Sequence, residues 1–114
     1  MQKTAIIGSR HFYDYKSLCD LCDKYNIAFI NSGGAIGVDT LAERYAIERN
    51  IPIQIFFPDW NQFGKRAGFL RNIEIIDNSD LVIAFWDGQS RGTKHSIDYA
   101  VKQGKEVIIE FFNS

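Results

Sequence analysis

Four short segments hold most of the residues in this chain that could do chemistry: Gly8-Ser9-Arg10-His11, Asn31 through Asp39, Pro58-Asp59-Trp60, and Trp86 through Thr93. The stretch Ser32-Gly33-Gly34-Ala35-Ile36-Gly37 has the makings of an anion cradle. Glycine lets backbone N–H groups approach phosphate oxygens, and a helix starting just after it offers its positive end. The same stretch also reads as a tight strand-to-helix turn. Its spacing is neither the dinucleotide fingerprint nor a Walker A loop with its lysine. Gly92-Thr93 repeats the device, and Ser9 with Arg10 adds a hydroxyl and a cation suited to bidentate phosphate contact.

Other residues join this set as candidates with structural alternatives. Trp60 and Trp86 directly follow apolar runs, where an indole can stack on a base or cover the core edge. Asp39 and Asp87 could bond a ribose, act as acid or nucleophile, or cap a turn. Arg71 and Asn72 could reach into a site or face water. His11 and His95 lack partners at metal-ligand spacing, so neither a metal site nor a cofactor is expected. Cys19 and Cys22 form a C-x-x-C inside a periodic segment rather than at a helix start, which favours packing over redox chemistry.

The elements that must position these residues follow from periodicity. Runs at 4–7, 27–30, 53–57, 81–85 and 107–111 are short and rich in Ile, Val and Phe, as expected of strands buried on both faces. Helical spacing lies between them: Leu18, Leu21, Cys22, Tyr25; Val38, Leu41, Ala42, Tyr45, Ala46; Ala67, Leu70, Ile73; Ile97, Ala100, Val101. Helix starts are expected at Asp14, at a capping box of Thr40 with Glu43, and at Ser90 or Thr93. The alternation predicts an α/β fold: a Rossmann-like, doubly wound, parallel five-stranded sheet with helices on both faces, whose ligands bind outside the carboxyl ends of the strands.

Composition bounds the partners. With 114 residues, 46% hydrophobic and 24% charged, a single domain spanning 1–114 with its own core is expected. Thirteen basic residues against fourteen acidic give a net charge of -1, so any anion site must be local. Six cations, Arg10, Lys65, Arg66, Arg71, Arg91 and Lys94, fall in segments this topology sends toward one edge. No apolar run approaches the ~20 residues of a membrane span, and no signal peptide is evident, so a cytoplasmic protein without membrane contact is expected.

The chain resembles the SLOG superfamily, which includes DprA/Smf proteins and LOG-type phosphoribohydrolases, and within it the small single-domain YspA-like branch. The resemblance rests on Ile7-Gly8-Ser9-Arg10, Ser32 through Ala42, Pro58-Asp59-Trp60 with Gly64 through Gly68, Arg71-Asn72, Ala84 through Gly88, and Ser90-Arg91-Gly92-Thr93. It implies a nucleotide or nucleotide-derived ligand, its phosphate held by the Gly33-Gly34 loop and the Gly92-Thr93 helix start. LOG-type enzymes carry a glutamate three residues after the Thr of their Gly-Thr motif, and Ser96 stands there in this chain. N-glycoside cleavage needs a carboxylate, for which Asp87 or Glu74 would have to serve. The near-neutral charge offers no strong signal for nucleic acid.

Three functions are therefore in play. The first is sensing or sequestration of a phosphorylated nucleoside derivative through Ser9, Arg10, Ser32, Gly33, Gly34, Asp39, Trp60, Arg71, Asn72, Trp86, Arg91, Gly92 and Thr93. The second is a nucleotide N-glycoside hydrolase or transferase using Asp87 or Glu74. The third is a homo-oligomeric interaction module built on the 14% aromatic content.

Overall fold

The computed structural model describes residues 2–113. Strand β1 (Thr4–Gly8) leads through α1 (Tyr15–Cys22) to β2 (Ile30–Ser32), then through α2 (Val38–Glu48) to β3 (Ile53–Ile55). A short helix α3 (Trp60–Phe63) and a 3-10 turn (Gly64–Arg66) precede α4 (Ala67–Asp77), followed by β4 (Leu81–Trp86), α5 (Arg91–Lys102) and β5 (Glu106–Phe111). The strands form one all-parallel sheet in the order β3-β2-β1-β4-β5. The sheet is doubly wound, as the alternating periodicity predicts. None of the helices is long and apolar enough to cross a membrane, among the described residues.

Alternation along each strand splits the core into two layers. Ile6, Ile30, Ile83 and Phe85 face Leu18, Leu21 and Cys22 of α1 and Val38, Ala42 and Tyr45 of α2. Ala5, Ile7, Val82 and Ala84 face Ile75 and Ile76 of α4 and Ile97 and Ala100 of α5. Cys22 belongs to the first layer, and burial pushes its thiol up to about 12, the reverse of what a reactive thiolate requires. Both cysteines are free.

Two local expectations are corrected. The second strand is Ile30–Ser32 rather than 27–30, because Asn31 and Ser32, polar yet fully buried, carry the pairing to β1 and β3. Asn31 donates to the Asn78 carbonyl and to Ser79 Oγ, both at 3.0 Å, and Ser32 donates to Asp39 Oδ1 at 3.1 Å. The expected Thr40–Glu43 capping box is absent. The helix starts earlier, with Gly37 at the cap, and Thr40 lies inside it, donating to the Ala35 carbonyl. Asp14 and Ser90 do cap α1 and α5, accepting from the N–H groups of Ser17 and Thr93.

Candidate functional site

The strand order reverses between β1 and β4, and the cleft opens outside their carboxyl ends, where such sheets place ligands. An inner cleft of about 190 Å³ is lined by Ile7, Gly8, Arg10, Ala35, Asp39, Arg71, Asn72, Ile75, Ser90, Gly92, Thr93 and Ser96. A wider outer groove of about 750 Å³ adjoins it through Arg10, Ala35, Arg71, Asn72 and Gly92. Gly33, Gly34, Ile36, Phe57, Pro58, Trp60, Lys65, Gly68, Phe69 and His95 complete the groove's walls.

Close backbone packing sets the floor of the site. The Ser9 carbonyl accepts from Val38 N–H at 3.3 Å, joining the end of β1 to the start of α2. Gly37, at φ 80°, makes this possible: a Cβ there would lie 2.5 Å from the Ser9 carbonyl oxygen and 2.6 Å from Arg10 Cα. Gly33 separates Asp39 and Arg71 in the same way. A Cβ on it would stand 2.8 Å from Asp39 Oδ2 and 3.0 Å from Arg71 Nη1.

Arg71 is half-buried and held by neutral groups. Its Nη1 donates to the Gly33 carbonyl at 2.6 Å and the Phe56 carbonyl at 3.4 Å, and its Nε donates to Asn72 Oδ1 at 2.8 Å. Burial lowers its pKa, Asp39 opposes that shift, and the nearby charge of Arg10 adds to it. Among the described residues neither Arg10 nor Arg71 forms a salt bridge, whereas Lys16, Arg44, Arg49 and Lys94 all do. Two guanidinium groups thus share a cleft without a paired carboxylate. Burial raises the Asp39 carboxyl above its ordinary value, although bonds from Ala35 N–H and Ser32 Oγ, each 3.1 Å, pull the other way.

The expected site residues divide into three groups. Arg10, Gly33, Gly34, Asp39, Trp60, Arg71, Asn72, Gly92 and Thr93 line the cleft or the groove. Ser9, Ser32 and Trp86 stand behind the walls. Ser9 Oγ accepts from His11 N–H, Ser32 holds Asp39, and Trp86 Nε1 donates to the Ser90 carbonyl at 3.0 Å, fixing the start of α5. Arg91, Asp87 and Glu74 line neither space. Asp87 is occupied by its own turn, accepting from Gln89 and Ser90 N–H at 2.8 Å each, and these bonds hold its carboxyl below the ordinary value. Glu74 lies exposed on α4.

Sequence reasoning passed over Ser96, His95, Phe57 and Phe69 as ligand contacts. Ser96 follows Thr93 by three residues on one helix face, a spacing that could have pointed to it. Phe69 packs against His95 with ring centres 4.0 Å apart, and nothing in the local pattern marks that pair. No group of three or more His, Cys, Asp or Glu residues that could hold a metal occurs among the described residues.

The Gene 61 protein of Mycobacterium phage D29 is 36% identical over 120 residues, covering 95% of each chain. The chain belongs to the family of that phage protein, and its fold is the SLOG-superfamily Rossmann-like fold of DprA proteins. No family model matches it. Among solved structures, the SLOG fold is shared with DprA from Streptococcus pneumoniae, with a TM-score of 0.80 and 21% identity over 96% of this chain. DprA from Helicobacter pylori, which binds single-stranded DNA, gives a TM-score of 0.72 and 27% identity over 95% of this chain. The chain spans 50% of the first DprA chain and 64% of the second. A nucleic-acid-binding neighbour stands against the charge-based expectation of no strong nucleic-acid signal.

Proposed function

We propose that this chain binds a nucleotide or nucleotide-derived phosphorylated ligand, its phosphate in the inner cleft and its base in the outer groove. The observation that carries this reading is the pair Arg10 and Arg71. They line both spaces, carry no salt bridge among the described residues, and stand beside Gly92 and Thr93 in the first turn of α5. Converging guanidinium groups and a helix N-terminus together favour an anion. Phe57, Trp60 and Phe69 supply aromatic faces in the adjoining groove, where a base can stack.

A second reading is a single-stranded DNA segment laid along the groove. The Helicobacter pylori neighbour favours it, as does Lys65 beside the aromatic residues on that wall. The two readings share one cleft and differ in ligand length.

Thermal unfolding with a panel of mononucleotides and oligonucleotides tests both. A ligand at about 100 times its Kd stabilises the native state by roughly 2.7 kcal/mol, which raises Tm by several degrees. Arg71→Ala and Gly92→Val are expected to abolish that rise. At Gly92 an added Cβ meets no atom within 4 Å, so this variant is expected to fold while filling the approach to the helix start. A wild-type protein whose Tm responds to no member of the panel defeats the proposal.

A further inference from the structure

The inner cleft contains one group that a simple anion site should lack. Asp39 lines it with a largely buried carboxylate. Its oxygens accept from Ser32 Oγ and Ala35 N–H, and the Gly33 N–H also turns toward it. A carboxylate offers about four acceptor positions, so acceptor capacity remains for a ligand. No Lys or Arg nitrogen among the described residues lies within 4.0 Å of it, and the nearby Arg71 spends its Nη1 and Nε on carbonyl and amide oxygens. A bare phosphate entering this cleft would meet a carboxylate of like charge.

A ligand that carries hydroxyl groups close to its phosphate removes the conflict. The hydroxyls donate to Asp39 while the phosphate takes Arg10 and the first turn of α5. Ser96 points to the same chemistry independently. It is only 4% exposed, it lines the inner cleft, and its hydroxyl bonds to no other described residue. Facing the cleft without a protein partner among the described residues, it can bond a ligand there. The inner cleft, about 190 Å³, opens into the larger outer groove, so a sugar can sit in the first while a base extends into the second.

We infer that the inner cleft reads sugar hydroxyls through Asp39, assisted by Ser96, so that the protein selects ribonucleotides over their 2′-deoxy counterparts and over single-stranded DNA. This rests on the nucleotide reading and narrows it to a ligand class. Asp87, the other carboxylate considered for a ribose, is held by its own turn and lines neither space.

Titration calorimetry on the full chain tests it, with the four ribonucleoside 5′-monophosphates, their 2′-deoxy and 2′,3′-dideoxy forms, and a thymidine oligonucleotide. The wild type is expected to bind at least one ribonucleotide about tenfold or more tightly than its deoxy form, the ratio that follows from leaving a buried acceptor unpaired. Asp39→Asn is expected to collapse that ratio toward one while deoxynucleotide binding is kept or strengthened. Ser96→Ala is expected to reduce the ratio by a smaller factor. Equal binding of ribo and deoxy forms by the wild type overturns the inference and leaves the nucleotide reading intact. Tighter binding of the oligonucleotide than of every ribonucleotide also overturns it, and binding of nothing in the series overturns both. A folded Asp39→Asn that keeps the wild-type ratio removes Asp39 from the role; if that variant does not fold, the wild-type ratio and Ser96→Ala decide.

Discussion

Asp39 and Arg71 stand on either side of Gly33, and the absence of one methyl group lets them approach the same backbone. Gly33→Ala is expected to displace the arginine rather than unfold the chain, because its closest contacts are side-chain ends. Ligand affinity should fall at least about tenfold while the urea midpoint moves little, and paired titration and denaturation curves measure both. The raised Asp39 carboxyl also makes a pH prediction. The native chain holds this proton more tightly than the unfolded chain does. Between the unfolded value, about 3.9, and the raised native value, the folded state carries more protons, so this residue's contribution lowers stability as pH rises through the window. Asp39→Asn removes that slope. Without ligand, the variant should gain on the wild type as pH increases from about 4 to 7, read as urea midpoints at each pH. A difference that stays flat or runs the other way would contradict the assigned shift.

Helix α5 shows how a single element is held at the site. Ser90 caps it, Asp87 gathers the N–H groups of Gln89 and Ser90, and Trp86 clamps the Ser90 carbonyl from the end of β4. These residues were legible as chemistry-bearing, but their work is to aim Gly92 and Thr93 at the cleft. Trp86→Phe keeps an aromatic ring but deletes the donor together with the indole's second ring. It is expected to cost about 1 kcal/mol in denaturant unfolding and to weaken ligand binding through the loosened helix start. A variant with unchanged affinity would show that the clamp serves stability alone. Strand β2 and helix α2 show where local signals mislead. Asn31 and Ser32 look like loop residues because polarity is visible in sequence, whereas their partners at Asn78, Ser79 and Asp39 lie across the sheet. Thr40 and Glu43 have cap spacing, yet the helix begins at Val38 because Gly37 lets the chain turn against β1.

Across the whole molecule, a net charge of -1 conceals a division of labour among the cations. Four pair with carboxylates away from the inner cleft, while Arg10 and Arg71 converge on it without a salt bridge among the described residues. Salt dependence should therefore separate the two ligand readings. A strand running past Arg10, Arg71 and Lys65 is expected to give a log Kd against log salt slope near about 2, from three neutralised phosphates. A mononucleotide should give a shallower one. Equal slopes for both ligand types would mean that the groove does not follow a backbone.

The sequence by itself determined the class of fold, the number of strands and the turns that carry glycine, because hydrophobic period and backbone freedom are properties of neighbouring residues. Only the tertiary structure decided that β1 and β4 lie side by side, that Asp39 rather than Asp87 or Glu74 enters the cleft, and that Arg91 does not. Those outcomes depend on which strands pair and which helix face packs inward, and contacts between residues far apart along the chain settle both.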